Sequence, residues 1–231
     1  MGEVEKLSSE KSPIRVLVWS EFTEPKNIYP DGIHGEIAKH LNAVDGINAK
    51  TAQLSDDDQG VSHEALLNCD VLLWWGHGKH NEIYDDIAER VAAHVREGGM
   101  GLLPIHSGHH SKPFKILMRK SCNLGSWRED GKPEYVSIVD LDHPIAAGVS
   151  NFTIPNTEMY DEPFDVPEPD AVVFESRWDN GERFRSGCCW KVGRGRIFYF
   201  RPGHETYPIM SNKNVRLILR NGVAWAARNN C

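Results

Sequence analysis

Apolar positions fall in short blocks separated by polar, glycine- or proline-bearing stretches, and continuous apolar runs alternate with segments of 3.6-residue period. Ile14-Arg15-Val16-Leu17-Val18-Trp19, bounded by Pro13 and Ser20, is rich in β-branched residues and predicts a first strand. After a loop with Pro25 and Pro30, Ile33, Ile37 and Leu41 recur at helical spacing, and Asp31 stands where a helix cap is expected. AKTAQL predicts a second strand, and SDDDQGVSHEALLNC a turn and a short helix. DVLLWWG is almost continuously apolar, as suits a parallel strand covered on both faces. NEIYDDIAERVAAHVREGG places Ile83, Ile87, Val91 and Val95 on one helical stripe and stops at Gly98-Gly99. MGLLPIH predicts a fourth strand and SKPFKILMRKS the helix after it. This order predicts an α/β fold: a doubly wound, mostly parallel sheet in a flavodoxin-like three-layer sandwich.

The alternation breaks near Ser121. EYVSIV and NFTI predict strands on an insertion over residues 121–170, proline-rich between Pro155 and Pro169. DAVVFES, RFRSGCCWKV and GRIFYFRPG predict three more strands. NKNVRLILRNGVAWAAR then closes the chain as a helix, with Val215, Leu219, Val223 and Ala226 on one face. With no repeat or linker, one domain over residues 1–231 is expected, residues 1–12 forming a flexible leader.

Composition narrows the partners. A formal net charge of −7 argues against a nucleic-acid surface and an anionic membrane. No run approaches the ~20 apolar residues of a membrane span, and the polar N-terminus lacks the apolar core of a signal peptide. Five cysteines without a CxxC pair suit reduced thiols and a cytoplasmic setting, with Cys188 and Cys189 packed inside a strand. Exposed sheet edges make a homo-oligomer plausible.

The eleven histidines carry the chemical signal. Ligands of open α/β sheets bind beyond the carboxyl ends of the strands. Three such ends bear histidine here: WWGHGKHNE (His77, His80), PIHSGHHSK (His106, His109, His110) and FRPGHET (His204, followed by Glu205). His34 lies near the start of the first helix. His40, His63, His94 and His143 fall on helix faces or outer loops. Neutral imidazole suits zinc, and a catalytic zinc keeps three protein ligands and an open position. His77, His106, His109 and His204 are the candidate ligands for zinc or another divalent ion. His106, His204 and Glu158 are the candidate catalytic groups. His34, Trp75, Ser107, Tyr160 and Glu162 are the candidate substrate contacts, Trp75 at a pocket wall. A hydrogen-bonded His/Glu network without a metal fits the same spacing. Ser107 does not sit in G-x-S-x-G, because Ile105 replaces the first glycine. Arg119, Arg185 and Arg201 are expected in surface ion pairs.

DVLLWWGHGKHNE, GGMGLLPIHSGHHSKPF, EMYDEPFDVPEPD, GERFRSGCCWK and GRGRIFYFRPGHETYP together resemble the trehalose-utilisation (ThuA-like) family from about Arg15 to Trp225. That family is similar to the class I glutamine amidotransferase fold, whose turn after this strand reads G-x-C-x-G. Pro104-Ile105-His106-Ser107-Gly108 occupies that turn, so His106 stands where the cysteine nucleophile would be. His204 falls near the catalytic histidine. Imidazole at the elbow cannot form a thioester, so the resemblance implies something other than a glutaminase. It implies a role in carbohydrate metabolism and a small-molecule carbohydrate ligand, with metal-assisted hydrolase, lyase or isomerase chemistry on a sugar or oxidised sugar. A metal-free acid/base enzyme and a non-catalytic sugar-binding or regulatory module are the alternatives.

Overall fold

A computed structural model describes residues 12–227. Residues 1–11 of the expected leader, and Cys231, lie outside the described residues. The first half of the chain lays down β1 (Ile14–Ser20), α1 (Gly32–Asn42), β2 (Ile47–Gln53), α2 (His63–Leu67), β3 (Val71–Trp75), α3 (Asp85–Arg96), β4 (Gly101–Ile105) and α4 (Lys112–Met118). The second half adds β5 (Ser126–Arg128), β6 (Glu134–Ile138), β7 (Phe152–Ile154), β8 (Met159–Asp161), β9 (Ala171–Arg177), β10 (Arg183–Val192), β11 (Gly195–Phe200) and α5 (Lys213–Ala226).

Nine strands form one sheet in the order β2-β1-β3-β4-β11-β10-β9-β6-β7. The pairings from β2 to β11 are parallel, and those from β11 to β7 antiparallel. Alternation along β1 and β3 creates two cores. Val16, Val18, Leu73 and Trp75 meet Ile33, Ile37 and Leu41 of α1 and Val215, Ile218 and Val223 of α5. Leu17, Trp19, Leu72 and Trp74 meet Ile87, Val91 and Val95 of α3 and Phe114 and Leu117 of α4. Every residue of β3 and β4 is buried, which explains their unbroken apolar sequences.

The strands expected within residues 121–170 are β6 and β7, which extend the central sheet at its edge, while β5 and β8 form a separate two-stranded ribbon. Two local expectations are corrected. The side chain of Asp31 makes no capping hydrogen bond; the buried Glu24 carboxylate reaches the N-terminus of α1 and accepts the Ile33 N–H. The stripe beginning at Ile83 does not start the third helix, because residues 80–82 form a 3-10 turn and α3 begins at Asp85.

Candidate active site

The parallel strands end on a common edge, and there the chain turns sharply. β4 stops at Ile105, His106 takes a left-handed φ of +55°, and a 3-10 turn over His106–His110 leads into α4. A side chain in that backbone region is strained and persists only where its surroundings hold it. His106 is held by complete burial, by packing against Tyr160, and through its carbonyl, which accepts the Tyr199 hydroxyl at 3.0 Å. The turn after β11 presses against it. A Cβ on Gly203 would lie 2.9 Å from Ile105 Cγ2 and 3.1 Å from His106 Cβ, so only glycine permits that approach.

His77 Nδ1 lies 3.3 Å from His106 Nε2, and His77 Nε2 lies 3.4 Å from Glu205 Oε1. The His77 and His106 rings are parallel, with centroids 5.4 Å apart. One donor atom each from His77, His106 and Glu205 fall within 4.8 Å of one another. The same His106 nitrogen also faces Glu158, whose Oε2 is 3.4 Å from Nε2. The Tyr160 hydroxyl is 2.8 Å from Ser107 Oγ, which is itself 3.5 Å from His77 Nδ1.

The His204 ring sits 5.2 Å from that of His106 and 5.4 Å from that of His77, so the three strand ends do converge. His204 Nδ1 accepts the Thr206 amide at 3.3 Å and lies 3.1 Å from its hydroxyl. Its Nε2 faces Glu129 Oε1 at 3.3 Å. His204 therefore borders the donor triad, and Glu205 takes the place expected for it. His109 turns away: its Nδ1 meets the Cys122 carbonyl at 2.8 Å, with its ring against Tyr160, Phe164 and Tyr199.

Three expected substrate contacts are otherwise engaged. Trp75 is wholly buried and donates its indole N–H to the Gly203 carbonyl, bracing the loop that carries His204. Glu162 binds Arg185 through both carboxylate oxygens and accepts the Phe164 amide. His34, in the first turn of α1, packs edge-on to Phe22 and lies 3.7 Å from Glu24 rather than in the histidine cluster.

Arg201, expected at the surface, is fully buried in an ion pair with Glu134. It also donates to Thr157 Oγ1 at 3.1 Å and to the Glu158 carbonyl, and its guanidinium lies 5.0 Å from the centre of the Tyr160 ring. It thus ties Glu158 and Tyr160 to the sheet. Glu21, another buried carboxylate, accepts the Gly78 amide and steadies the turn after His77. Glu21, Glu129 and Glu205 carry no motif; Glu205 had only its adjacency to His204 as a signal.

Burial sets the protonation of this site. It pushes His106 well below the ordinary histidine range, with His204 and Arg201 adding to the effect. Burial, then His77, brings His204 to about 4. The same desolvation pushes Glu158 and Glu205 upward. Both rings are thus uncharged at neutral pH, the state a cation requires. His106 Nδ1, Glu158 Oε2 and Glu205 Oε2 are buried without a hydrogen-bond partner. The imidazoles of His77 and His106 and the Glu205 carboxylate, gathered at one gap, are a donor set that fits a zinc-like divalent ion.

A family model described as trehalose utilisation, ThuA, matches residues 15–226. The chain belongs to the ThuA family. No curated protein matches it. Among solved structures, this ThuA-family chain is similar to a ThuA-like protein from Bacteroides uniformis, with 16% identity, a TM-score of 0.66, and coverage of 93% of this chain and 92% of that one. A cytoplasmic protein from Salmonella typhimurium shares 16% identity at a TM-score of 0.64, covering 92% of this chain and 99% of that one. A glutamine amidotransferase from Thermotoga maritima has 12% identity and a TM-score of 0.59, covering 94% of this chain and all (100%) of that one. These likenesses establish a shared α/β fold. Among the described residues, no helix is long and apolar enough to cross a membrane.

Proposed function

We propose that this ThuA-family protein is a cytoplasmic, metal-dependent enzyme acting on a sugar or an oxidised sugar derivative, with His77, His106 and Glu205 holding a zinc-like ion. The observation that carries this reading is the approach of those three donors within 4.8 Å at the carboxyl edge of the sheet. The open edges at β2 and β7 support a homo-oligomer.

A divalent ion at this position supplies Lewis acidity toward a sugar carbonyl or hydroxyl. Two further groups of the protein lie beside these donors. Glu158, beside His106 and raised by burial, is suited to hold a proton and pass it to a reacting oxygen. His204 keeps its Nδ1 on Thr206 and offers Nε2 opposite, toward Glu129. The Ser107–Tyr160 hydroxyl pair provides a donor and an acceptor for sugar hydroxyls.

The test combines metal analysis of the purified protein with calorimetric titration and product analysis, using trehalose and an oxidised glucoside, before and after chelation. A stoichiometric divalent ion, lost with His106→Ala or Glu205→Gln, and sugar chemistry lost on chelation are expected. Absence of an ion, with sugar binding indifferent to chelators, overturns the metal reading. Turnover that survives chelation would favour acid/base chemistry by the His106–Glu158 pair, 3.4 Å apart.

A further inference from the structure

One wall of the cleft comes from the β5–β8 ribbon. Tyr160 of β8 points its hydroxyl to Ser107 at 2.8 Å and lies nearly parallel to His106, centroids 5.6 Å apart. That face of the ribbon is therefore the cleft face. Trp127 of β5 is the direct cross-strand partner of Tyr160. Directly opposed residues of an antiparallel pair project from the same face, with Cβ atoms about 5 Å apart. Two residues further on, Glu129 comes within 3.3 Å of His204 Nε2, so the outgoing chain returns to the same cleft. Arg128, which alternates to the other face, pairs with Asp130 and Glu182 and anchors the ribbon from behind.

Trp127 thus stands between a residue that touches His106 and one that touches His204. It is 64% exposed, whereas the other six tryptophans are 0–9% exposed. An indole held on an anchored ribbon beside a polar cleft has a flat apolar face ready for a ligand. The C–H face of a pyranose ring matches that surface, while its hydroxyl rim matches the half-exposed Glu129 carboxylate beside it. We propose that Trp127 is the stacking platform for a pyranose ring at the mouth of the histidine cleft. This rests on the carbohydrate part of the proposed function and adds the residue that would hold the ring.

The metal-loaded full-length protein, labelled with 5-fluorotryptophan, is titrated with trehalose and with methyl α-D-glucopyranoside and followed by fluorine NMR. Trp127→Phe assigns the Trp127 resonance. That resonance is expected to shift saturably with sugar. Trp127→Ala should weaken calorimetric sugar binding by about tenfold, with metal content and melting temperature unchanged, while Trp127→Phe retains most of the affinity. Sugar binding with a silent Trp127 resonance and an unaffected alanine variant overturns the platform and leaves the proposed function standing. A Trp127 resonance that responds to protein concentration rather than to sugar also overturns it, assigning the indole to self-association. Failure of the wild-type protein to bind either sugar overturns the carbohydrate reading and the platform together.

Discussion

Trp75 and Gly203 are 128 positions apart in sequence, yet the indole N–H of one donates to the carbonyl of the other at 2.9 Å. This bond joins the end of β3 to the loop after β11, so the strand preceding His77 also braces the segment bearing His204 and Glu205.

Trp75→Phe should keep most of the packing but leave the Gly203 carbonyl without its donor. The expected loss is about 1–3 kcal/mol in urea unfolding, because a buried polar group loses its partner. Gly203→Ala should be worse for the site, since the added methyl meets Ile105 and His106. Metal affinity, read by competition with a chromogenic chelator, should fall in both variants. Unchanged affinity would dissociate this bond from the site's geometry.

His77 and His109 should behave in opposite ways. His77→Ala should abolish stoichiometric ion binding and leave the half-exposed surface around it stable. His109→Ala should retain the ion but lose about 2–4 kcal/mol of stability, because it opens a cavity among Tyr160, Phe164 and Tyr199. Elemental analysis and urea melts on the two variants separate these roles; loss of the ion in His109→Ala would restore His109 as a ligand.

Arg201 and Glu134 form a buried pair from which one partner cannot be removed cheaply. Glu134→Gln or Arg201→Met should cost about 3–5 kcal/mol, as expected for an uncompensated buried charge. Arg201→Met should in addition free the Glu158 carbonyl and the Tyr160 ring, lowering kcat at unchanged metal content. The double variant Glu134→Leu/Arg201→Met should recover stability but not that activity, as denaturant titration and steady-state rates would show.

Acid should destabilise the fold through its buried imidazoles. Burial brings His80 and His110 from the ordinary 6.5 to about 4. Between those values the unfolded chain binds protons that the folded chain refuses, so stability falls as pH drops from 6.5 toward 4 and this contribution levels off below 4. Unfolding free energies of metal-free protein across that range should show the slope. It should be shallower in His80→Gln and His110→Gln, and an unchanged slope would remove these rings as its source.

The sheet was legible from β1 to β4 because short unbroken apolar runs alternate there with segments of 3.6-residue period, with Gly98-Gly99 marking a stop. The histidine-bearing ends of β3, β4 and β11 could likewise be read, since parallel strands deliver their carboxyl ends to one edge. Past Ser121 that logic weakens. Short strands such as Glu134–Ile138 carry little periodicity, and whether they join the central sheet depends on hydrogen bonds to β9, far along the chain.

Apolar spacing in the chain was enough to dictate an α/β sandwich and to bring His77, His106 and His204 to a common edge, because strand direction and core burial follow from local pattern. Which donor atoms meet depended on long-range packing. The left-handed turn and the close approach of Gly203 fix His106, while His109 packs against Tyr160, Phe164 and Tyr199 and Glu205 comes to face His77. Spacing carries no information about side-chain direction after such a turn; only the packed neighbours decide it.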